Sequence, residues 1–303
     1  KELLGGNWLV QGTTFLAIIF GTVLGNELIL TEHGVTVVSI TVVVIAVAGF
    51  VASLYTPPAP AAGAGMPVDW VFPRAIRDLI RLVMRSPLAF RAILAISWFW
   101  FLGATFLSLL PAYTRNALGA NEGVLTALLM GFSAGVAVGA VASEALGRGE
   151  VSVKLPPIGA LGLAAMAVEL WFATPAEPLV PAPDLAGRDV FFATATGWRI
   201  FIDFVIIAAF AGIYVTPLNA VLQALSPAKR RARFIAASNM IDASFIVVST
   251  LVVTVLLQVG LLPAEILVLL TLSGLPVAFL VARYAPGTRL GNVALALWPR
   301  GPQ

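Results

Sequence analysis

Apolar residues run in long blocks along this chain, and polar residues collect in the short gaps between them. Eight blocks are long and unbroken enough to cross a bilayer, at roughly 8–26, 34–54, 89–111, 123–145, 156–173, 198–224, 235–258 and 264–283. A helix needs about 20 mostly apolar residues to span the hydrocarbon core. It also satisfies its own backbone hydrogen bonds, which lipid cannot do. The pattern predicts an all-α integral membrane protein with eight transmembrane helices.

Between the second and third blocks the pattern changes. Residues 56–68 form a Pro/Ala/Gly linker, and from Asp69 to Pro87 four arginines recur at spacings of three and four: Arg74, Arg77, Arg81 and Arg85. Ile76, Leu79, Ile80 and Val83 interleave with them. That alternation predicts an amphipathic helix with a basic face, lying on the membrane surface near anionic lipid. A basic soluble linker helix is the alternative, and it leaves the topology unchanged.

Composition strengthens the membrane reading. Hydrophobic residues make up 59% of the 303 positions and charged residues 11%, against about 25% charged in soluble domains. The surface therefore has to face lipid over much of its area. The basic balance orients the chain instead of predicting a nucleic-acid partner. One set of alternate gaps holds the linker arginines, then Arg148 and Lys154, then Lys229, Arg230, Arg231 and Arg233, then Arg283, Arg289 and Arg300. The other holds Glu27, Glu32, Arg115, Glu122, Glu177, Asp184, Arg188 and Asp189. The positive-inside rule makes the first set cytoplasmic, and an even number of spans puts both ends there too. The chain opens on Lys1-Glu2-Leu3 with no signal-peptide pattern and is expected to be a segment of a longer protein.

Several chemistries find no residues. There is no cysteine, and His33 is the one histidine. Gly131-Phe132-Ser133-Ala134-Gly135 matches the hydrolase pattern G-x-S-x-G, but it lies inside an apolar helix with no histidine downstream. An acyltransferase pair of histidine and aspartate five apart is also missing, because Val38 stands where the acid belongs. Gly-rich phosphate loops and carboxylates spaced for metal are lacking as well. No enzyme activity and no cofactor are expected.

Polar residues inside the blocks are more informative, because placing them in hydrocarbon is costly and they generally face a cavity or one another. Arg199 and Asp203 lie four apart on the sixth span, where an ion pair is expected, and Asn219 and Gln223 continue along it. Asn239 and Asp242 lie three apart on the seventh, with Ser238 and Ser244 beside them. Asn7 and Gln11 open the first span and Glu169 sits in the fifth. For each, snorkelling or capping near an interface is the bland alternative. Pro111 and Pro217 interrupt otherwise helical spans. Gly21 and Gly25, and Gly131, Gly135 and Gly139, recur at intervals of four, a spacing that lets helices approach closely in lipid.

Several strings resemble one branch of the major facilitator superfamily, the lysophospholipid transporters often fused to an acyl-acyl-carrier-protein synthetase/acyltransferase. They are residues 96–105 (ISWFWFLGAT), 128–149, 198–223 (containing GIYVTPLNA) and 231–244, together with the opening LGGNWLV at 4–10. The resemblance covers nearly the whole chain to about residue 283. It implies that the eight spans correspond to helices 5–12 of a 12-helix fold. Residues 1–55 would then hold the last two helices of the N-terminal half, and 56–88 the cytoplasmic linker. Residues 89–284 would form the C-terminal six-helix half and 285–303 a cytoplasmic tail. The family's first four helices have no counterpart here, and the tail leads into no acyltransferase domain.

The same resemblance implies a secondary transporter of the bacterial inner membrane. It would move a lysophospholipid or similar amphipathic substrate by alternating access, with the lipid bilayer and a fused or associated acyltransferase as partners. Its cavity is expected to be lined by Asp242, Asn239, Asp203, Arg199, Gln223, Asn219, Trp98 and Gln11. A degenerate copy of the family's cytoplasmic gate motif, with Ala140 in place of its first glycine, is carried by Glu144, Gly147 and Arg148. Two other readings stay open: an exporter of drugs or small metabolites with the same fold, and a non-transporting membrane module of a phospholipid acyltransferase.

Overall fold

A computed structural model describes residues 13, 14, 17, 20, 21, 23–25, 28, 29, 31–56, 72–147, 154–180 and 184–277. The described residues form helices, with a single isolated bridge between Ala120 and Ala186 and no strand. Helix α1 covers Gly34–Ser53, α2 Phe72–Met84, α3 Pro87–Ala112, α4 Glu122–Gly147, α5 Leu155–Ala173, α6 Arg188–Phe192, α7 Ala195–Leu225, α8 Arg231–Gln258 and α9 Pro263–Leu272. Six of these, α1, α3, α4, α5, α7 and α8, are long and apolar enough to cross a membrane. They coincide with six of the eight expected spans. The expected first span and the end of the eighth lie largely outside the described residues, as do Gln11, Arg148, the 57–71 linker segment and the tail from 278 onward.

Local chemistry starts and stops the helices. Proline occupies the first turn of α3, α5 and α9, where a missing N–H costs nothing. Thr194 caps α7, its Oγ1 accepting from the Gly197 N–H at 2.9 Å. At α9 the Glu265 carboxylate accepts from the Leu262 N–H at 2.8 Å. Pro111 lies in the last turn of α3, and a π-helical turn, Tyr113–Ala117, follows directly. Gly119 then takes φ +61°, where a Cβ would meet Pro178 Cβ and the Val180 carbonyl at 2.8 Å. Backbone bonds from Leu179 to Leu118 (3.0 Å) and from Ala186 to Gly119 (2.7 Å) tie the two loops at this end together.

α7 is the central strut. It packs along α4 and α5, while α3 bridges α7 to α8. The α4–α7 seam is made by small residues. A Cβ on Gly139 would fall on the Ala209 carbonyl, one on Gly135 on the Val205 carbonyl, and one on Gly212 on the Val136 carbonyl. Close backbone approach of this kind replaces the hydrophobic attraction that lipid removes. Gly21 and Gly25, spaced the same way, would put a Cβ near no other described atom within 4 Å. α8 is different, because Ile246, Val247, Val248, Leu251 and Val255 are all exposed along it. α1 exposes its side chains on every side, with only Gly34 buried.

Candidate polar cavity between α7 and α8

α7 and α8 touch only sparingly, and α3 stands behind both. The space left between them is a cavity of about 150 Å³ lined by Trp100, Asn219, Leu222, Gln223, Ile235, Ser238, Asn239 and Asp242. Four of the polar residues expected from the sequence, Asn219 and Gln223 on α7 and Asn239 and Asp242 on α8, therefore converge on one space. Their spacings of four and three put each pair on a single helix face.

Asp242 anchors the cavity. It is 6% exposed. Its Oδ1 accepts from the Ser97 hydroxyl on α3 at 2.6 Å, and its Oδ2 from Ser238, one turn earlier on α8, at 3.3 Å. The Ser97 Oγ also lies 2.9 Å from the Ile93 carbonyl. A serine hydroxyl carries one proton, and the shorter contact to an ionisable acceptor is the stronger one. The carboxylate retains lone pairs toward the cavity, and Asn219, Gln223 and Asn239 add amides. Asn219 Nδ2 also donates to the Val215 carbonyl at 3.3 Å, an acceptor on the Pro217 turn of α7. Pro217 has no N–H to give the Ile213 carbonyl. No lysine, arginine or histidine is among the described residues lining this cavity.

A second space, about 180 Å³ and almost wholly apolar, adjoins it. Phe99, Leu102 and Phe106 of α3, Phe132 of α4, Leu163 of α5, Ile207 and Ala211 of α7 and Ile246 of α8 line it. Trp100 belongs to the walls of both spaces.

The remaining expected residues lie elsewhere. Trp98 is 5% exposed and is not among the described residues lining the polar cavity. Its Nε1 donates to Ser273 Oγ at 3.2 Å, its ring meets Tyr214 edge-on at 5.4 Å, and it lies against Gly274, where a Cβ would strike the indole. The Tyr214 hydroxyl donates to the Ala95 carbonyl at 2.9 Å. Asp203 and Arg199 sit near the opposite end of α7, about 24 and about 30 Å along the helix from Asn219 at about 1.5 Å per residue. The expected pairing of these two is replaced by another. Arg199 Nε and Nη2 both donate to Glu169 Oε1 on α5, at 2.9 and 2.6 Å. The reason is geometric: α5 packs along α7 and brings Glu169 within reach of a half-exposed arginine, whereas Asp203 points into the bundle and is 4% exposed. Asp203 Oδ2 is buried with no hydrogen-bond partner among the described residues. Glu144 and Gly147 stand in the last turn of α4, and their expected partner Arg148 lies outside the described residues.

Sequence reasoning missed Trp100 and Ser97. The run Trp98-Phe99-Trp100 carried a signal, since neighbours on a helix point about 100° apart and one indole of the two had to face differently from the other. Which one faced the cavity was not readable from that run.

No protein-family model matches the chain, and no solved structure matches it. Curated relatives do. The chain is 26% identical over 303 residues to the lysophospholipid transporter LplT of Enterobacter sp. (strain 638), covering 99% of this chain and 66% of that protein. It is 28% identical over 228 residues to the LplT of Serratia proteamaculans (strain 568), covering 74% of this chain and 50% of that protein. It is 27% identical over 227 residues to the LplT of Klebsiella pneumoniae (strain 342), with 73% and 50% covered. The chain thus spans between half and about two thirds of the length of the curated relatives it matches. What it is similar to, over nearly its whole length, is a bacterial lysophospholipid transporter.

Proposed function

We propose that this protein is a secondary transporter of the major facilitator type that moves a lysophospholipid across the bacterial inner membrane. The observation that carries the reading is the pair of adjoining compartments, one polar and one apolar, sharing Trp100. An amphipathic molecule with a single chain needs that combination. A lysophospholipid differs from its diacyl counterpart by a free glycerol hydroxyl and one acyl chain fewer. The hydroxyl is a donor suited to the Asp242 carboxylate, the phosphate is an acceptor suited to the amides of Asn219, Gln223 and Asn239, and the chain is suited to the Phe99–Phe106–Ile207 space. The relatives' name agrees with this chemistry.

In this reading the helices correspond to helices five to twelve of a twelve-helix fold. Residues 1–55 end its first half, 56–88 link the halves, 89–284 form the second half and 285–303 a tail, with the basic gaps cytoplasmic. Transport proceeds by rocking of two helix bundles about the site. α7 and α8 make few direct contacts, so they can change separation without dismantling a packed seam, whereas α4 and α7 are locked by backbone contact. Asp203 and Arg199, remote from the polar cavity, would act at the outer end, and Glu144 with Gly147 and Arg148 at the cytoplasmic end of α4.

The test is uptake by proteoliposomes of a labelled lysophospholipid against its diacyl counterpart and against a cationic dye typical of drug exporters. Saturable movement of the lysolipid alone is expected. Movement of the dye in its place, or of nothing, overturns the reading in favour of an exporter or of a non-transporting membrane module.

A further inference from the structure

Two groups of cations about 150 residues apart in sequence are brought to one end of the fold. The first is on α2, where Arg74, Arg77 and Arg81 are exposed along one face and Arg85 follows the last turn. The opposite face of α2 docks on the bundle through Leu79, Leu82 and the fully buried Val83. The second is at the start of α8, where Lys229, Arg230 and Arg233 are exposed and Arg231 is half-buried. α2 packs against α8, so the two groups form one surface. Eight cations stand there, and Asp78, the single carboxylate of α2 and of the 226–233 segment together, already pairs with Arg77 at 3.5 Å.

The start of α8 is arranged against its own electrostatics. A helix N-terminus carries positive charge from its unpaired N–H groups and favours acids. α8 has no acidic residue in its first turn and no side-chain cap. The Arg231 Nε is buried with no hydrogen-bond partner among the described residues. Cations piled onto the positive end of a dipole repel one another unless an external anion faces them.

We propose that α2 and the 229–233 turn form a docking surface for the phosphate headgroups of anionic phospholipids in the adjoining leaflet. The lipid leaflet is favoured over an acidic protein because the cations are interleaved with apolar side chains. Met84 is exposed, and Ile76 and Ile80 are half-buried beside the arginines. That mixture suits a surface entering the boundary between headgroups and acyl chains. The site is distinct from the transport cavity, yet it sits on the same helix. Asp242 follows Arg231 by eleven residues, about 16 Å along α8, so lipid held at the turn fixes the end of a helix that lines the cavity.

The experiment titrates purified, detergent-solubilised protein with dioctanoyl phosphatidylglycerol, dioctanoyl phosphatidylcholine and inorganic phosphate. It compares the wild type with the triple variants Arg74→Gln/Arg77→Gln/Arg81→Gln and Lys229→Gln/Arg230→Gln/Arg233→Gln. Saturable binding of phosphatidylglycerol is expected, weakening as salt rises, with phosphatidylcholine and free phosphate much weaker. Each cation near an anionic surface is worth about a factor of five in affinity, so either triple variant should bind roughly a hundredfold more weakly. The charge-conserving Arg74→Lys/Arg77→Lys/Arg81→Lys variant should stay within a few fold of wild type, which separates charge from folding. Equal affinity for the two lipids, tighter binding of free phosphate than of lipid, salt-insensitive binding, or triple variants that bind phosphatidylglycerol as wild type does would each overturn the proposal. The last result would leave an acidic protein as the better occupant.

Discussion

Changing Asp242 to asparagine keeps the size and planarity of the side chain and removes its charge. In the native arrangement Ser97 donates to Oδ1 at 2.6 Å and Ser238 to Oδ2 at 3.3 Å. The asparagine carbonyl can still accept from Ser97, and its amide can donate to the Ser238 hydroxyl, so the local network survives in altered polarity. What is lost is the difference between a charged and a neutral acceptor. Hydrogen bonds to charged groups contribute about 1.5–3 kcal/mol, and neutral ones about 0.5–1.5 kcal/mol. A substrate hydroxyl bound at this position should therefore lose about 1–1.5 kcal/mol, a five- to tenfold rise in the apparent KM for lysophospholipid. Asp242→Ala removes the acceptor altogether and should raise it about ten- to 150-fold. The assay is initial uptake rate against lysophospholipid concentration in proteoliposomes, with thermal unfolding of each variant measured in parallel. A KM unchanged in both variants, with folding intact, would refute the assignment of Asp242 to the substrate and reduce it to a structural link between α3 and α8.

The two tryptophans of the 96–105 string should behave oppositely. Trp98→Ala empties a buried site and should cost about 3–5 kcal/mol of stability, read by chemical denaturation. Trp100→Ala should leave stability within about 1 kcal/mol, since the ring lines open space, while altering the dependence of uptake on acyl-chain length. The α4–α7 seam predicts a contrast between glycines: Gly139→Ala drives a methyl into the Ala209 carbonyl and should destabilise by about 1–3 kcal/mol. Gly103→Ala, with no other described atom within 4 Å of the added carbon, should stabilise by up to about 1 kcal/mol through helix propensity; equal melting temperatures would contradict this packing. The Arg199–Glu169 pair is half-exposed on both sides, so a double-mutant cycle on stability should give a coupling of no more than about 1 kcal/mol.

Most of the helical architecture was legible before any coordinates, and for a physical reason. In a bilayer, span length and apolar content are set by the thickness of the hydrocarbon core, a constraint that acts on contiguous sequence. Six of the eight expected spans reappear within a few residues of their expected bounds. Positions along a helix were legible too, because faces repeat every three to four residues. Asn219 with Gln223, and Asn239 with Asp242, each had to share a face.

What periodicity does not encode is which helix stands opposite which. Arg199 looked toward Asp203 in sequence and pairs with Glu169 in space, because α5 packs along α7 and supplies a partner thirty residues earlier in the chain. The Ser97–Asp242 bond joins residues 145 positions apart, and no local rule anticipates it. The same holds for the choice of Trp100 over Trp98 as cavity wall, which depends on α3 turning one indole toward α9 and the other toward the gap between α7 and α8. The sequence by itself determined a helical membrane protein, the positions of six of its expected spans and the helix faces that carry polar groups, all set by local chain geometry against a fixed bilayer. Only the tertiary structure decided the cavity, its anchoring carboxylate and the joining of two basic segments into one surface, because each is made by side chains that meet across helices far apart in the chain.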